Sequence, residues 1–374
     1  MKLHLVAGEA SGDARGAELM RALLALHPDC SFSGAGGPKM HAIAGGNFLD
    51  WAHEAVVGLW DVLKKYGYFK HQLSRMLREI AALKPDAVLF IDYPGFNLRL
   101  AKALRARHPH LKLLYYVSPQ VWAWNRGRIP KMARFLDLML CIFPFEPPLY
   151  QSSGLKALFV GHPMLDSLPS RDQAPPRDPS LIALLPGSRE KEVRRIFPAM
   201  LETAREMLRR SPQLRFATAA ASEKVAHSMR EILAEQGLDE SSCPISSAGA
   251  HHLMQTARAG MVASGTATQE AACLGLPMII VYKVAWLTWV VGKRLIRVPF
   301  IGMPNLLAEK EIAPEFLQNA AQPQPMADAM LRLVHDQPAW DLASSQLREV
   351  VEKLGNPGAG ARAAEAVLAE IRTH

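Results

Sequence analysis

The feature that most constrains this chain is an alternation. Short apolar runs, each closed by Gly, Pro, Asp or Ser, trade places with stretches of helical periodicity. A helix after each short buried strand carries the chain back to a parallel neighbour, so the pattern prescribes βαβ units. In the first half the strands are expected at Leu3–Ala7, Ala87–Ile91, Lys112–Val117, Leu138–Phe143 and Leu158–Val160, with helices at Ala14–Leu26, Gly58–Leu83 and Asn97–Arg107. Periodicity stops from His162 to Ser180, where five prolines mark a linker. A second set opens with Leu181–Leu185 and has strands near Arg215–Ala219, Gly260–Ala263 and Pro277–Tyr282. Its helices fit Glu190–Arg209, Lys224–Gln236, Ala267–Leu274 and Ala285–Ile296, and two amphipathic helices follow, about Trp340–Leu354 and Gly360–Thr373. The fold class expected is α/β with two doubly wound domains, residues 1–165 and 178–340, which suits a length of 374 residues. Ligands of open parallel sheets sit at the C-terminal strand edge. Two such edges facing a cleft would give a two-substrate enzyme one wall for each substrate.

Composition removes several classes. Hydrophobic residues make up 49% and charged residues 21%, so the chain is globular rather than disordered or fibrous. Cys30, Cys141, Cys243 and Cys273 lie far apart, against a disulfide framework or a zinc site and in keeping with a reducing compartment. The start, Met1 to Ala7, is cut off by Gly8-Glu9 and does not read as a secretory segment. The longest apolar run, Val284 to Gly292, is about half of what a spanning helix needs. A formal charge of +8 attracts phosphate, and without a nucleic-acid module it points to small phosphorylated ligands or a lipid surface rather than nucleic acid. A solvated surface is the plainer alternative.

In the second domain Leu185-Pro186-Gly187-Ser188-Arg189-Glu190 leaves a strand and opens a helix. Gly187 permits close backbone approach, Ser188 suits a cap, and free N-terminal amides favour an anion. Arg189 adds a fork of donors suited to a diphosphate; the alternative is a capped helix with an exposed arginine. Ser264-Gly265-Thr266 ends another strand with hydroxyls and amides suited to phosphate oxygens, and Glu270, one turn on, can accept from ribose hydroxyls or be a surface acid. Two such turns on one sheet edge are less easily accidental than either alone. There is no Walker loop, no dinucleotide fingerprint, and no helical metal spacing at His251-His252, so neither a metal nor a redox cofactor is expected. Gly34-Ala35-Gly36-Gly37 reads as a turn.

In the first domain Gly8-Glu9-Ala10-Ser11-Gly12-Asp13 enters a helix: its glycines let a sugar approach and its acids can bind hydroxyls, unless Ser11 or Asp13 is an N-cap. Asp92, in Ile91-Asp92-Tyr93-Pro94-Gly95-Phe96-Asn97, stands where a general base is needed. Attack by a sugar hydroxyl with inversion requires one base and a stabilised leaving diphosphate. The alternative is an aspartate capping the next helix. Trp122 and Trp124, in Tyr116 to Trp124, suit a sugar face, an acyl chain or core packing equally.

Together GEASGD (8–13), IDYPGFN (91–97), YVSPQVWAW (116–124), FPFE (143–146), VGHP (160–163), LPGSRE (185–190), SGTATQE (264–270) and the PNLL…PEFLQ block (304–318) resemble the lipid A disaccharide synthases, glycosyltransferase family 19, over nearly the full chain. Gln269 departs from the apolar residue expected there, and the basic residues around Asn125–Arg128 are displaced. The resemblance implies a GT-B fold of two Rossmann-like domains and inverting transfer from UDP-2,3-diacylglucosamine to 2,3-diacylglucosamine 1-phosphate (lipid X). UDP and a β-1,6-linked disaccharide 1-phosphate are the implied products. It places the general base on Asp92, with Glu9 as a further functional position, and the diphosphate-binding arginine on Arg189. Ser188, Ser264, Gly265, Thr266, Glu270 and Asn305 fall in the implied UDP pocket, and Ser11, Gly12 and Trp122 on the acceptor side. The helices from about 340 to 374 are expected to pack back on the first domain. The family's acylated substrates imply a peripheral place on the inner face of the cytoplasmic membrane. Val56, Leu59, Trp60, Leu63, Tyr66 and Phe69, flanked by Lys64, Lys65 and Lys70, read as an interfacial helix or as core; Trp286–Phe300 is a second candidate. Another UDP-sugar enzyme, such as an epimerase or cell-wall transferase, and a non-catalytic lipid or nucleotide carrier are the rival readings.

Overall fold

The computed structural model describes residues 1–46, 48–51, 66–169, 174–284 and 298–372. The chain divides into two compact units. Met1–Asp166 and Leu354–His374 make the first, and Ser167–Lys353 the second. The expected boundary at 165 lies one residue from that division. Of the two terminal helices only Ala359–Arg372 belongs to the first unit; Gln337–Lys353 stays in the second, against helices Thr266–Cys273, Met303–Ala308 and Pro323–His335. That corrects the expectation for residues 340–353. Amphipathic spacing shows that a helix has an apolar face, not which core takes it.

The first unit is built on seven parallel strands: β1 (Lys2–Ala7), β2 (Ser31–Gly36), β3 (Leu49–Asp50), β4 (Ala87–Ile91), β5 (Lys112–Tyr116), β6 (Leu138–Cys141) and β7 (Lys156–Phe159), in the order 3-2-1-4-5-6-7. The sequence pattern misses β2 and β3. Ser31–Gly36 carries small and polar residues, and its glycines read as a turn. Gly34 sits at φ +130° opposite Leu5, where a Cβ would stand 1.9 Å from the Leu5 carbonyl oxygen. Here glycine is what lets a strand pair closely, not what ends one. The second unit has β8 (Asp178–Leu185), β9 (Arg215–Thr218), β10 (Ala257–Ala263), β11 (Met278–Tyr282) and β12 (Glu315–Leu317), also parallel, in the order 12-11-10-8-9. Order reverses between β1 and β4 in one sheet and between β8 and β10 in the other. The crossover helices leave to opposite faces at such points and open a crevice beyond the strand ends.

Two buried carboxylates tie the first unit together. Asp13, 2% exposed, accepts from the backbone N–H groups of Gly37 (2.9 Å), Lys39 (3.0 Å) and Met40 (2.9 Å), so it caps helix Pro38–Ala44 rather than its own helix. Glu370 of the last helix receives Lys112 at 2.9 Å and Lys156 at 2.8 Å, and those contacts hold its carboxyl below the usual range against the opposing effect of burial. Asp13→Ala leaves three donors without a partner and should cost the first unit about 2–3 kcal/mol. The check is a fall in its urea unfolding midpoint.

Candidate active site

At the end of β4 the backbone takes two consecutive left-handed residues, Asp92 (φ 48°) and Tyr93 (φ 50°). An aspartate tolerates this conformation better than most residues but a tyrosine does not, so surrounding contacts must hold the pair. The buried Asn97 amide donates to the carbonyl of Asp92 at 2.8 Å and reaches those of Val6 and Ile91. Tyr115 Oη donates to the same Asp92 carbonyl at 2.6 Å, and the Asp92 N–H bonds Tyr116 O at 3.0 Å. The Tyr93 ring lies over Gly8, where a Cβ would come within 2.2 Å of it, and stacks on Phe96. The turn therefore fixes where the Asp92 carboxylate starts.

Glu9 follows β1, whose Ala7 pairs with Ile91, so the two carboxylates stand at neighbouring strand ends. Burial raises the Asp92 pKa, a hydrogen bond from the Tyr93 backbone opposes it, and the charge of Glu9 raises it further. Ser11 is exposed and Gly12 buried at the start of the same helix. Asp92, Ser118, Gln120, Trp124 and Arg128 are among the lining of a hollow of about 290 Å3. Trp122 is not. It is buried, and its indole donates to Glu146 at 2.9 Å while packing edge-on against Phe145. The expected acceptor contact at Trp122 is thus a core contact, and Trp124, 44% exposed, is the indole that faces outward. Burial pushes the Glu146 carboxyl up to about 7, although it also accepts from the N–H groups of Ile142 and Phe143. It anchors the loop that carries Ser118 and Trp124.

In the second unit a pocket of about 560 Å3 gathers Ser188, Arg189, Ser264, Gly265, Thr266 and Glu270. Leu185 pairs beside Val262, which brings the loops after β8 and β10 to one place. Gly187 (φ +117°) and Gly265 (φ +148°) make turns that side chains would strain. Arg189, not Ser188, is the N-cap of helix Glu190–Arg210, and neither it nor Gly265 makes a side-chain cap. Both helix starts therefore keep amides for an anion. Sequence reasoning missed the far wall, formed by Ala219–Ala221 after β9 and Ala248–His251, with His251 Nε2 at 3.7 Å from Glu270 Oε1. The alanines and Gly249 carry no chemical signature, and His251 is weighed in the sequence only as a metal ligand; only the strand order places them.

Asn305 does not line that pocket. It is fully buried, its amide donates to Ala313 O (2.7 Å) and Glu315 (2.8 Å), and its oxygen accepts from Ile312 N and Ala313 N. Every hydrogen-bonding position is used inside its own loop, so the expected nucleotide contact is corrected to a loop-holding role. Phe69 is half-buried and packs on Tyr93 and Phe96 rather than standing free for a membrane. Val56, Leu59, Trp60, Leu63, Lys64 and Lys65, the side chain of Tyr66, and the stretch 285–296 expected as a helix lie outside the described residues. Among the described residues no helix is long and apolar enough to cross a membrane, and no three metal-ligating side chains come together.

The family model for lipid-A-disaccharide synthetase matches residues 3–369. The chain belongs to that family. Among relatives, the lipid-A-disaccharide synthase of Geobacter sulfurreducens is 39% identical, over 98% of this chain and 96% of that protein. The Pseudomonas aeruginosa enzyme of the same name is 37% identical, over 98% and 97%. Among solved structures, MurG of Acinetobacter baumannii superposes with a TM-score of 0.61 at 12% identity, covering 98% of this chain and 99% of that one. A UDP-GlcNAc 2-epimerase of Neisseria meningitidis bound to UDP-GlcNAc gives 0.59 at 13% identity, covering all of both chains. These likenesses concern the fold alone, and they bear out the GT-B class expected from the family's motifs. Replacing Arg189 by Ala should weaken UDP binding about 10–100-fold, the scale of a charge-assisted pair. Calorimetry with UDP tests this, and unchanged affinity would refute the role the family's motif implies for Arg189.

Proposed function

We propose that this chain is an inverting hexosyltransferase that makes lipid A disaccharide 1-phosphate from UDP-2,3-diacylglucosamine and 2,3-diacylglucosamine 1-phosphate. The observation that carries the reading is Asp92: a carboxylate on a clamped left-handed turn at a sheet switch point, in a chain of this family. The acceptor's C6 hydroxyl gives its proton to Asp92 while its oxygen bonds the donor's C1. The C1–phosphate bond breaks, and UDP leaves with the electron pair. In the second unit Arg189 and the free amides at helix starts 190 and 266 receive the charge that develops on the diphosphate. Glu270 and the wall Ala248–His251 suit the nucleoside. Glu9, Ser11 and Gly12 serve the acceptor sugar. The substrates' acyl chains and the +8 charge support a place on the inner face of the cytoplasmic membrane, held peripherally.

Mass spectrometry of the reaction with both acylated substrates should show the disaccharide and UDP. UDP-sugar turnover without a disaccharide would favour another reaction of the same fold. Asp92→Asn should lower kcat about 10²–10⁴-fold, the range for a lost general base; near-normal turnover would exclude it from that role.

The pH profile gives a separate test. Asp92 must be ionised to accept the proton, and its pKa lies above the ordinary carboxylate range, so activity is lost as pH falls through that raised value. Glu9→Gln removes a charge that raises it, so the acid limb of kcat should move to lower pH. An unmoved limb, or one displaced upward, would separate Glu9 from Asp92 electrostatically.

A further inference from the structure

Beside helix Pro94–Arg107 the first unit holds a second hollow, of about 610 Å3, bounded also by the turns Arg126–Arg128 and Ile129–Met132. Its floor is apolar: Leu98 is half-buried, and Met132 and Phe135 are buried. Its rim is cationic. Arg99, Lys102, Lys131 and Arg134 are exposed, and Arg128 is half-buried. A sixth cation, Arg105, already meets Asp137 at 2.5 Å and the carbonyl of Phe135 at 3.3 Å. Among the described residues no acid lines the hollow. Like charges gathered around an apolar floor create a local field that an anion relieves, and the floor offers that anion's hydrocarbon a dry surface.

Arg128 and Pro94 line this hollow and also the smaller one that contains Asp92. The Arg128 guanidinium carbon stands 5.0 Å from the Trp124 ring centroid. A ring face attracts a cation at this distance, and a guanidinium has five N–H donors with which to meet a ligand as well. One cation thus belongs both to the base's pocket and to the basic, apolar hollow beside it.

We infer that the larger hollow seats the phosphate end of the acceptor: the phosphomonoester on Arg128 and Lys131, and an acyl chain over Leu98, Met132 and Phe135. The inference rests on the reading of Asp92 as the base that serves the acceptor. The ligand's own geometry fits it. In a hexopyranose C1 and C5 both flank the ring oxygen, so the C6 hydroxyl and the C1 phosphate both leave from the ring-oxygen edge of the sugar. The acyl-bearing C2 adjoins C1, so that chain leaves beside the phosphate. A hydroxyl at Asp92 therefore brings the phosphate toward Arg128 and the chain toward the apolar floor.

Arg128→Gln and Lys131→Gln, made separately and assayed in neutral detergent micelles, should each raise KM for the phosphorylated acceptor about 10–100-fold, and by less than about 3-fold for the same lipid without its phosphate. KM for the UDP-sugar should hold, and Arg107→Gln, an exposed cation on the same helix outside the hollow, should match the parent. Lys131 is exposed, so its variant keeps the test valid if Arg128→Gln folds poorly. Equal losses with and without the phosphate, or no loss, overturn the inference. So does a pair of variants that stop co-sedimenting with phosphatidylglycerol vesicles yet keep the acceptor KM, since the hollow would then read membrane headgroups. If the parent enzyme forms no disaccharide, the proposed function has failed, and calorimetry with the phosphorylated acceptor decides the hollow alone. Weakened binding by the variants supports it; unaltered binding overturns it.

Discussion

The in-register pairing of parallel strands at the two switch points is the constraint on which both sites depend. Ala7 against Ile91 sets Glu9 beside Asp92, and Leu185 against Val262 sets residues 187–189 beside 264–266. A slip of one residue would turn every side chain of the strand to the other face and carry the following loop out of place. Strands buried in both layers resist such a slip because Leu3 to Ala7 and Ala87 to Ile91 are close-packed on both faces, and every side chain would have to find a new fit. Precision at the strand ends is thus a property of the core.

The Asp92 turn shows how that core is used. Two left-handed residues cost on the order of 1–3 kcal/mol each, and the two side-chain hydrogen bonds to the Asp92 carbonyl return about 1 kcal/mol each. Tyr115 and Asn97 supply those bonds from the sheet and from the first turn of the following helix, and Gly8 makes room for the Tyr93 ring. The same burial that stabilises the clamp raises the carboxyl's pKa, which makes it a better proton acceptor once ionised. Packing and reactivity here have one cause.

The net charge of the chain is not spread evenly in its effects. In the second unit Arg194 with Glu231 and Arg230 with Glu223 and Glu240 form exposed pairs that are screened and contribute little. In the first unit Arg99, Lys102, Arg128, Lys131 and Arg134 surround a hollow with no acid in its lining among the described residues. A pI near 9.3 reports the excess without locating it. The location gives the charge a chemical meaning.

The sequence by itself determined the fold class, most strands and their loops, and the residues lining the second unit's pocket that carry hydroxyls, charge or glycine. Apolar runs and turn residues are local signals, and Ser188, Arg189 and Ser264 to Thr266 sit where a strand ends in any such chain. Tertiary structure decided the rest. It made Gly34 part of a strand, because only the approach of Leu5 explains a glycine there. It turned Asn305 and Trp122 inward, where residues 312–315 of the same loop use all of one and Glu146 takes the indole N–H of the other. It divided the terminal helices between the two units, and it set Arg128 between Asp92 and an apolar hollow. A residue type names the bonds it can make, but distant segments choose which bonds are made, because burial is settled only when the chain packs.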